Sequence, residues 1–356
     1  MACYRVAVVA GDGIGPEVID AAMAVLDAAC RAIPGLSLEF LAAPAGAGTY
    51  LTRGEALPAA TLETCRAADA ILLGACGLPG VRYPDGTEII PQVTLRIALD
   101  LYAGIRPARS IEGIPHALAN PSPIDFVVVR ESTEGIFASL GGGIVLGDQV
   151  ASDTQIITRR GTERVVRSAF QLARRRQRLS PRVTCVDKAN ILRSFAFFRK
   201  VFDEVAVEFP DIAADHLYVD AAAMEMVRRP QRFDVMVTEN LLGDILSDLA
   251  AGLIGGLGLA PSADVGDRHA VFQPCHGTAP DIMGQGVANP LAAILSGAML
   301  LDYLADRHGD PGPGHAARKI DAAVHAAVAS GAARTSDIGG TATTAAATDT
   351  IIRLMR

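Results

Sequence analysis

Apolar runs too short to be helices alternate with longer runs of helical period along the whole sequence. YRVAVVA, AILLGA, FVVVR, VTCVD, HLYVD, FDVMV and HAVFQP are the short runs, close to continuous in apolar residues, as strands buried on both faces are. Stretches such as PEVIDAAMAVLDAAC and TERVVRSAFQLARRRQ lie between them and read as amphipathic helices. The alternation predicts the α/β class. HLYVD is expected to end its strand at Asp220, and the strand through AGIRP to end at Arg106-Pro107. DPGPG (310–314) reads as a surface turn, and residues 144–160 as an extended excursion. The middle of the chain, about 100–254, contains that excursion and reads as a smaller domain inserted into a larger one made of 1–99 plus 255–356.

The stretch FDVMVTENLLGDILSDLAAGLIGG (233–256) joins a buried strand to a helix through cap chemistry at Thr238-Glu239-Asn240. Asp244 and Asp248 sit four apart, so both carboxylates project from one helical face, beside an expected apolar stripe of Leu242, Ile245, Leu249 and Leu253. Two like charges at that spacing cost roughly 0.2–0.5 kcal/mol unless a cation lies between them. Mg²⁺ or Mn²⁺ takes such hard oxygen donors, and Asp220 offers a third.

At 356 residues and 50% hydrophobic, the chain can bury a large core. No apolar run free of charges and Gly/Pro reaches membrane-spanning length, and the N-terminus leads into a strand rather than a signal peptide. Net charge is −7, and the three lysines, Lys188, Lys200 and Lys319, form no basic block, so nucleic acid is not expected as a partner. RRRQR (174–178) reads as a solvated helix end. The six Cys show no CxxC and imply a reducing compartment, hence the cytoplasm. GDGIGP departs from the dinucleotide fingerprint at Pro16, so the turn is expected to shape a cleft wall instead.

Arg96, Arg106 and Arg130 lie on helix or strand segments leading to one expected cleft. Guanidinium forks bind carboxylates bidentately, so three together imply a small polyanionic substrate. Lys188, directly after a buried strand, is a candidate proton-transfer group, with Asn190 nearby.

These pieces, in order, carry a resemblance. GDGIGPE, LR…LDLYAGIRPA, VVVRESTEG, VDKANIL, VDAAAMEMV, NLLGDILSDLAAGLIGGLGLAPS and HGTAPDIMGQGVANPLAAILS resemble the β-decarboxylating dehydrogenases, the isocitrate, isopropylmalate, homoisocitrate and tartrate/D-malate enzymes. Segment 233–304 is most similar to the homoisocitrate branch. The resemblance implies a two-domain isopropylmalate dehydrogenase-like fold, distinct from Rossmann, with the active site in the interdomain cleft. It implies a homodimer with shared sites, with a tetramer left open, and an arm at about 138–158 that clasps the partner. Arg96, Arg106 and Arg130 would hold a malate, a dicarboxylic hydroxy acid. Asp244 and Asp248, with Asp220 from the second subunit, would hold Mg²⁺ or Mn²⁺. Lys188, also crossing to the second subunit, would take the hydroxyl proton. His276, Gly277, Thr278, Ala279, Ala288 and Asn289 would line the adenosine of the cofactor. Asp281 stands where an acid favours the ribose diol of NAD over the phosphate of NADP.

Two departures stand out. Phe137 occupies the position of the family's catalytic tyrosine and lacks its hydroxyl. In the specificity segment, Gln92 and Val93 bring no added cation for a third carboxylate, which favours an alkyl- or hydroxyl-substituted malate. The expected function is NAD-dependent oxidative decarboxylation of a 3-substituted malate. The alternatives are homoisocitrate or isocitrate as substrate, a non-catalytic regulatory subunit, or oxidation without loss of CO₂.

Overall fold

Ten strands join in one mixed sheet in the computed structural model, which describes residues 2–115, 117–118 and 123–356. In chain order the strands are β1 (Ala2–Val9), β2 (Leu36–Ala42), β3 (Ala70–Leu73), β4 (Ala103–Arg109), β5 (Asp125–Glu131), β6 (Ile144–Leu146), β7 (Val150–Ser152), β8 (Arg182–Asp187), β9 (Ala213–Tyr218), β10 (Val235–Thr238), β11 (Pro261–Val265) and β12 (Ala270–Pro274). The sheet order is β2-β1-β3-β12-β11-β4-β5-β10-β8-β9, and β6 and β7 form a separate hairpin. Both flanks are parallel, whereas the centre, β12-β11-β4-β5, is antiparallel. The helices are α1 (Gly15–Arg31), α2 (Ala47–Arg53), α3 (Ala59–Ala67), α4 (Pro91–Ala98), α5 (Arg159–Arg175), α6 (Arg193–Ala206), α7 (Val219–Arg228), α8 (Asn240–Leu253), α9 (Leu291–His308), α10 (Pro311–Ala329) and α11 (Thr344–Leu354).

Strand alternation divides the core. On β5, Phe126 and Val128 point into the large cluster shared with α1, α9 and α10, while Val127 and Val129 point into a second cluster with Phe170 of α5 and Phe198 and Phe202 of α6. Arg130 continues the first set, so register carries it to the same side as Arg106, which pairs with Val128 across β4–β5.

Several expectations about elements are corrected. The strand HLYVD stops at Tyr218, and Asp220 lies in the first turn of α7, where a carboxylate suits the helix dipole. Strand β4 runs past Pro107 to Arg109; β11 pairs with β4 only as far as Ile105, so the proline interrupts no bond on that side. DPGPG is no turn but the start of α10: Asp310 caps it, accepting from the Gly312 N–H at 2.9 Å, and Pro311 fits the first turn. On α8 the buried positions are Asn240, Gly243, Leu246, Ser247, Ala250, Ala251 and Leu253; of the expected stripe, Leu253 is in the core and Leu249 packs against it, while Ile245 is exposed. RRRQR does close α5, with Arg174, Arg175 and Gln177 exposed, but its far end is tied down by ion pairs. Arg174 pairs with Asp211, and Arg176 and Arg178 each pair with both Asp125 and the buried Asp234. The excursion contains the hairpin β6–β7, exposed throughout.

The GDGIGP turn is fastened by its carboxylate. Buried Asp12 accepts from the N–H groups of Ala47 at 2.7 Å, Gly48 at 2.8 Å and Gly77 at 2.8 Å. Ile14 N–H donates to the Thr278 carbonyl at 2.9 Å, which ties the turn to a fourth segment. Asp12→Ala would leave those donors without acceptors. It is expected to cost on the order of 2–4 kcal/mol, read as a lowered urea midpoint by circular dichroism. An unchanged midpoint would show that water replaces the carboxylate without loss.

Candidate active site

A cleft of about 360 Å³ opens where the loops after β3 and β12 meet α4, α8 and the ends of β4 and β5. Its lining includes Gln92, Val93, Arg96, Arg106, Arg130, Phe137, Asp244, Asp248, His276 and Gly277. The three arginines come from different elements: Arg96 from α4, Arg106 from β4 and Arg130 from β5. Their exposures are 8%, 6% and 5%, which removes the alternative that they are surface residues.

Beneath them lies Asp264 on β11, fully buried. Its carboxylate meets Arg96 Nε at 3.0 Å and accepts from Arg106 Nη2 at 3.1 and 3.3 Å and from Ser132 Oγ at 3.2 Å. Cross-strand register puts Asp264 opposite Gly104, and Gly104 opposite Arg130. A Cβ on Gly104 would come within 2.5 Å of Ser132 Oγ and 3.0 Å of the Asp264 carboxylate, so this position has to be glycine for the ion cluster to form. Gly243 does the same for α8: a Cβ there would meet the Arg130 side chain at 2.6 Å. The helix can therefore lie directly on Arg130, which pairs with Asp244 and donates to Asn240 Oδ1 at 2.6 Å.

Charge states follow from this packing. Burial works against the charge on Asp264, yet Arg106 and Arg96 outweigh it and hold the carboxyl below the ordinary range. Burial likewise opposes the charge on Arg106, and Asp264 overcomes it. Arg130 is pulled down to about 10 by burial and then by the like charges of Arg106 and Arg96, with Asp244 supporting the cation. It remains protonated at neutral pH, but its Nε is buried with no partner among the described residues. The cation that relieves the Asp244–Asp248 repulsion within this chain is therefore Arg130. Partial burial and then Asp244 still push Asp248 above the ordinary aspartate range.

Helix α8 aims its acids into the cleft because Glu239 caps it, accepting from Leu242 N–H at 2.7 Å and Leu241 N–H at 3.1 Å. Among the described residues no group of three or more His, Cys, Asp or Glu could hold a metal ion within one chain. Asp220 is elsewhere, paired with Lys188 at 2.6 Å, and neither lines the cleft. That pair is partly exposed, and Lys188 pulls the Asp220 carboxyl below its ordinary value.

The residues expected at the adenosine divide in two. His276 and Gly277 line the cleft. Burial lowers the His276 pKa, so the ring is neutral; Nδ1 lies 2.9 Å from the Gly277 carbonyl and donates to it, leaving the buried Nε2 as an acceptor without a partner among the described residues. Thr278, Ala279, Asp281, Ala288 and Asn289 lie outside the cleft lining. Asp281 is exposed on the neighbouring loop. Ala288 is buried, and Asn289 is committed to structure: its Oδ1 accepts from Leu291 N–H at 3.0 Å and its Nδ2 donates to Asp337 at 2.9 Å. Gln92 Oε1 is a further buried atom with no partner among the described residues. Phe137 stands beside Arg130, its ring centre 6.0 Å from the guanidinium carbon.

Asp264, Asn240 and Ser132 escaped the sequence reading. An acid inside the short buried run PSADV was the available signal for Asp264.

The raised Asp248 value fixes the sign of a pH effect. A carboxyl with a raised folded-state pKa favours folding below its unfolded value and loses that contribution as pH rises through the folded value. With divalent ions chelated, Asp248→Asn is therefore expected to unfold at a higher temperature than the parent near pH 7, the gap closing toward about pH 4. A parent that is the more stable near pH 7 would contradict this.

The family model for isocitrate/isopropylmalate dehydrogenase matches residues 5–354. A 3-isopropylmalate/3-methylmalate dehydrogenase of Methanocaldococcus jannaschii is 44% identical over 340 residues, 95% of this chain and 94% of that protein. An isocitrate/homoisocitrate dehydrogenase of Thermus thermophilus is 44% identical over 354 residues, 99% of each chain. Among solved structures, an isocitrate dehydrogenase from Methylococcus capsulatus superposes with a TM-score of 0.87 at 41% identity, covering 99% of each chain.

Proposed function

The chain belongs to the β-decarboxylating isocitrate/isopropylmalate dehydrogenase family, and on that premise we propose that it catalyses NAD-dependent oxidative decarboxylation of a malate bearing an uncharged 3-substituent. The observation that carries this reading is the set of three buried guanidinium groups facing two carboxylates across one cleft. Residues 100–254 act as one lobe and 1–99 plus 255–356 as the other. Six unpaired cysteines and the absence, among the described residues, of any helix long and apolar enough to cross a membrane fit a cytoplasmic enzyme.

Asp244 and Asp248 suit Mg²⁺ or Mn²⁺ as hard oxygen donors, and the penalty on Asp248 is one a cation relieves. Two carboxylates are an incomplete set, which is a reason to bring Asp220 from a second subunit. A bound divalent ion lowers the pKa of the substrate hydroxyl and polarises the carbonyl that replaces it. The Arg96 terminal nitrogens bind one substrate carboxylate and Arg106 contributes charge beside it. Lys188, carried with Asp220 into the neighbouring cleft, accepts the hydroxyl proton. NAD, when bound, would supply the hydride acceptor. His276 and Gly277 orient the adenosine end, with His276 Nε2 accepting from it, and Asp281 disfavours a 2′-phosphate. The β-carboxylate then leaves as CO₂, its bonding pair forming an enolate that takes a proton from water, since Phe137 has none to give.

The homodimer accounts for exposed apolar surface. Ile144, Val145 and Leu146 on β6, Val150 on β7, Met224 and Val227 on α7 and Ile245 on α8 are 45–72% exposed in the single chain. Phe137 favours one second reading. With no hydroxyl beside Arg130, a subunit that binds ligand without turnover, or an oxidation that retains CO₂, has a structural motive.

Incubation with NAD⁺, Mn²⁺ and a panel of 3-substituted malates, following NADH and CO₂ separately, is expected to give both products. NADH alone would select the non-decarboxylating reading, and neither would select the regulatory one. Phe137→Tyr is then expected to raise CO₂ release relative to NADH.

Shared sites make another expectation. Lys188→Met and Arg130→Met should each be inactive. Mixing them with subunit exchange should restore about a quarter of parental activity, because half the dimers are mixed and each has one intact site. No recovery after verified exchange would contradict a shared site.

A further inference from the structure

Asp264 is a full negative charge beneath a cleft read here as an anion site, with 0% of its side chain exposed. The charge compensates two buried guanidinium groups, and in doing so it also limits how much negative charge the cleft can accept. The donors show how. Arg106 directs both terminal nitrogens inward, Nη1 to the Ala263 carbonyl at 2.9 Å and the Ile105 carbonyl at 3.2 Å, and Nη2 to Asp264. Arg130 has its terminal nitrogens on Asp244 and Asn240. Arg96 meets Asp264 through Nε, so its two terminal nitrogens are the one guanidinium fork without a protein partner among the described residues. Of three cationic charges, Asp264 cancels one from below and Asp244 a second at the rim. The free Arg96 fork serves one substrate carboxylate, and a divalent ion held by Asp244 and Asp248 would release Arg130 for a second; a third would find neither a free fork nor an unmatched charge, in surroundings where low polarity magnifies the mismatch.

We propose that Asp264 is the residue that sets the charge class of the substrate: by pinning Arg96 and Arg106 and cancelling one of their charges, it admits dicarboxylates with a neutral 3-substituent and rejects tricarboxylates. It is a positioning residue, acting through the two arginines, and the inference rests on the dehydrogenase reading above.

Asp264→Asn keeps the shape and the acceptor oxygen while removing the charge. With NAD⁺ and Mn²⁺, the ratio of kcat/KM for isocitrate to that for 3-isopropylmalate is expected to rise about tenfold or more, through a lower isocitrate KM. Equal losses for both substrates would reduce Asp264 to a packing role and overturn the proposal, as would an unchanged ratio. Calorimetric titration with malate and tricarballylate separates this from the proposed reaction. If the parent makes no NADH, the dehydrogenase reading fails, but a tenfold gain of tricarballylate binding relative to malate in Asp264→Asn still supports the charge selection. Parent protein that binds tricarballylate more tightly than malate overturns it without reference to any variant.

Discussion

Two guanidinium groups and one carboxylate share a dry site under the cleft, and the rest of the functional architecture depends on them. Arg96 and Arg106 come from the consecutive elements α4 and β4, and Asp264 from β11, 158 residues beyond Arg106. Each charge alone would be costly to bury. Together they satisfy one another, and removing one member of such a cluster generally costs about 3–5 kcal/mol because a charge is left uncompensated. The cluster lies at the antiparallel centre of the sheet, where the strands from both ends of the chain meet those from its middle. The same contacts thus join the sheet and aim the arginines.

Around that centre the polar groups divide by direction. Arg130, Asp244 and Asn240 form a second network at the rim, held by close passage of α8 over β5. Lys188 and Asp220 pair with each other and do not line this chain's own cleft. The cleft of a single chain holds the three arginines and two of the three proposed acids, and not the proposed lysine. The exposed apolar hairpin and the exposed Ile245 and Met224 are surface that the proposed second subunit would cover.

Much of this was legible in the sequence, for reasons that can be stated. Asp244 and Asp248 were visible because helical period places four-apart residues together, and Arg106 and Arg130 because a cation inside an apolar strand needs a reason to be there. The same logic, applied to PSADV, would have found Asp264; the short run sits in a Gly/Pro-rich region, where an acid reads as loop polarity. The apolar stripe on α8 was only partly right, because hydrophobicity alone does not say which neighbour covers a residue: Leu253 and Leu249 pack on the core, Gly243 is buried by close approach to Arg130, and Ile245 is left outside. In the segment expected at the adenosine, His276 and Gly277 line the cleft, and the Asn289 side-chain amide is engaged by Leu291 N–H and Asp337. DPGPG misled because Asp-Pro opens a helix as readily as a turn.

Anomalous scattering from crystals grown with Mn²⁺ and a 3-substituted malate tests the central claim most directly. The predicted map has a manganese peak against Asp244 and Asp248 and a substrate carboxylate on the terminal nitrogens of Arg96, with Asp264 still beneath. Manganese elsewhere, or a substrate whose carboxylates touch none of Arg96, Arg106 and Arg130, would contradict it.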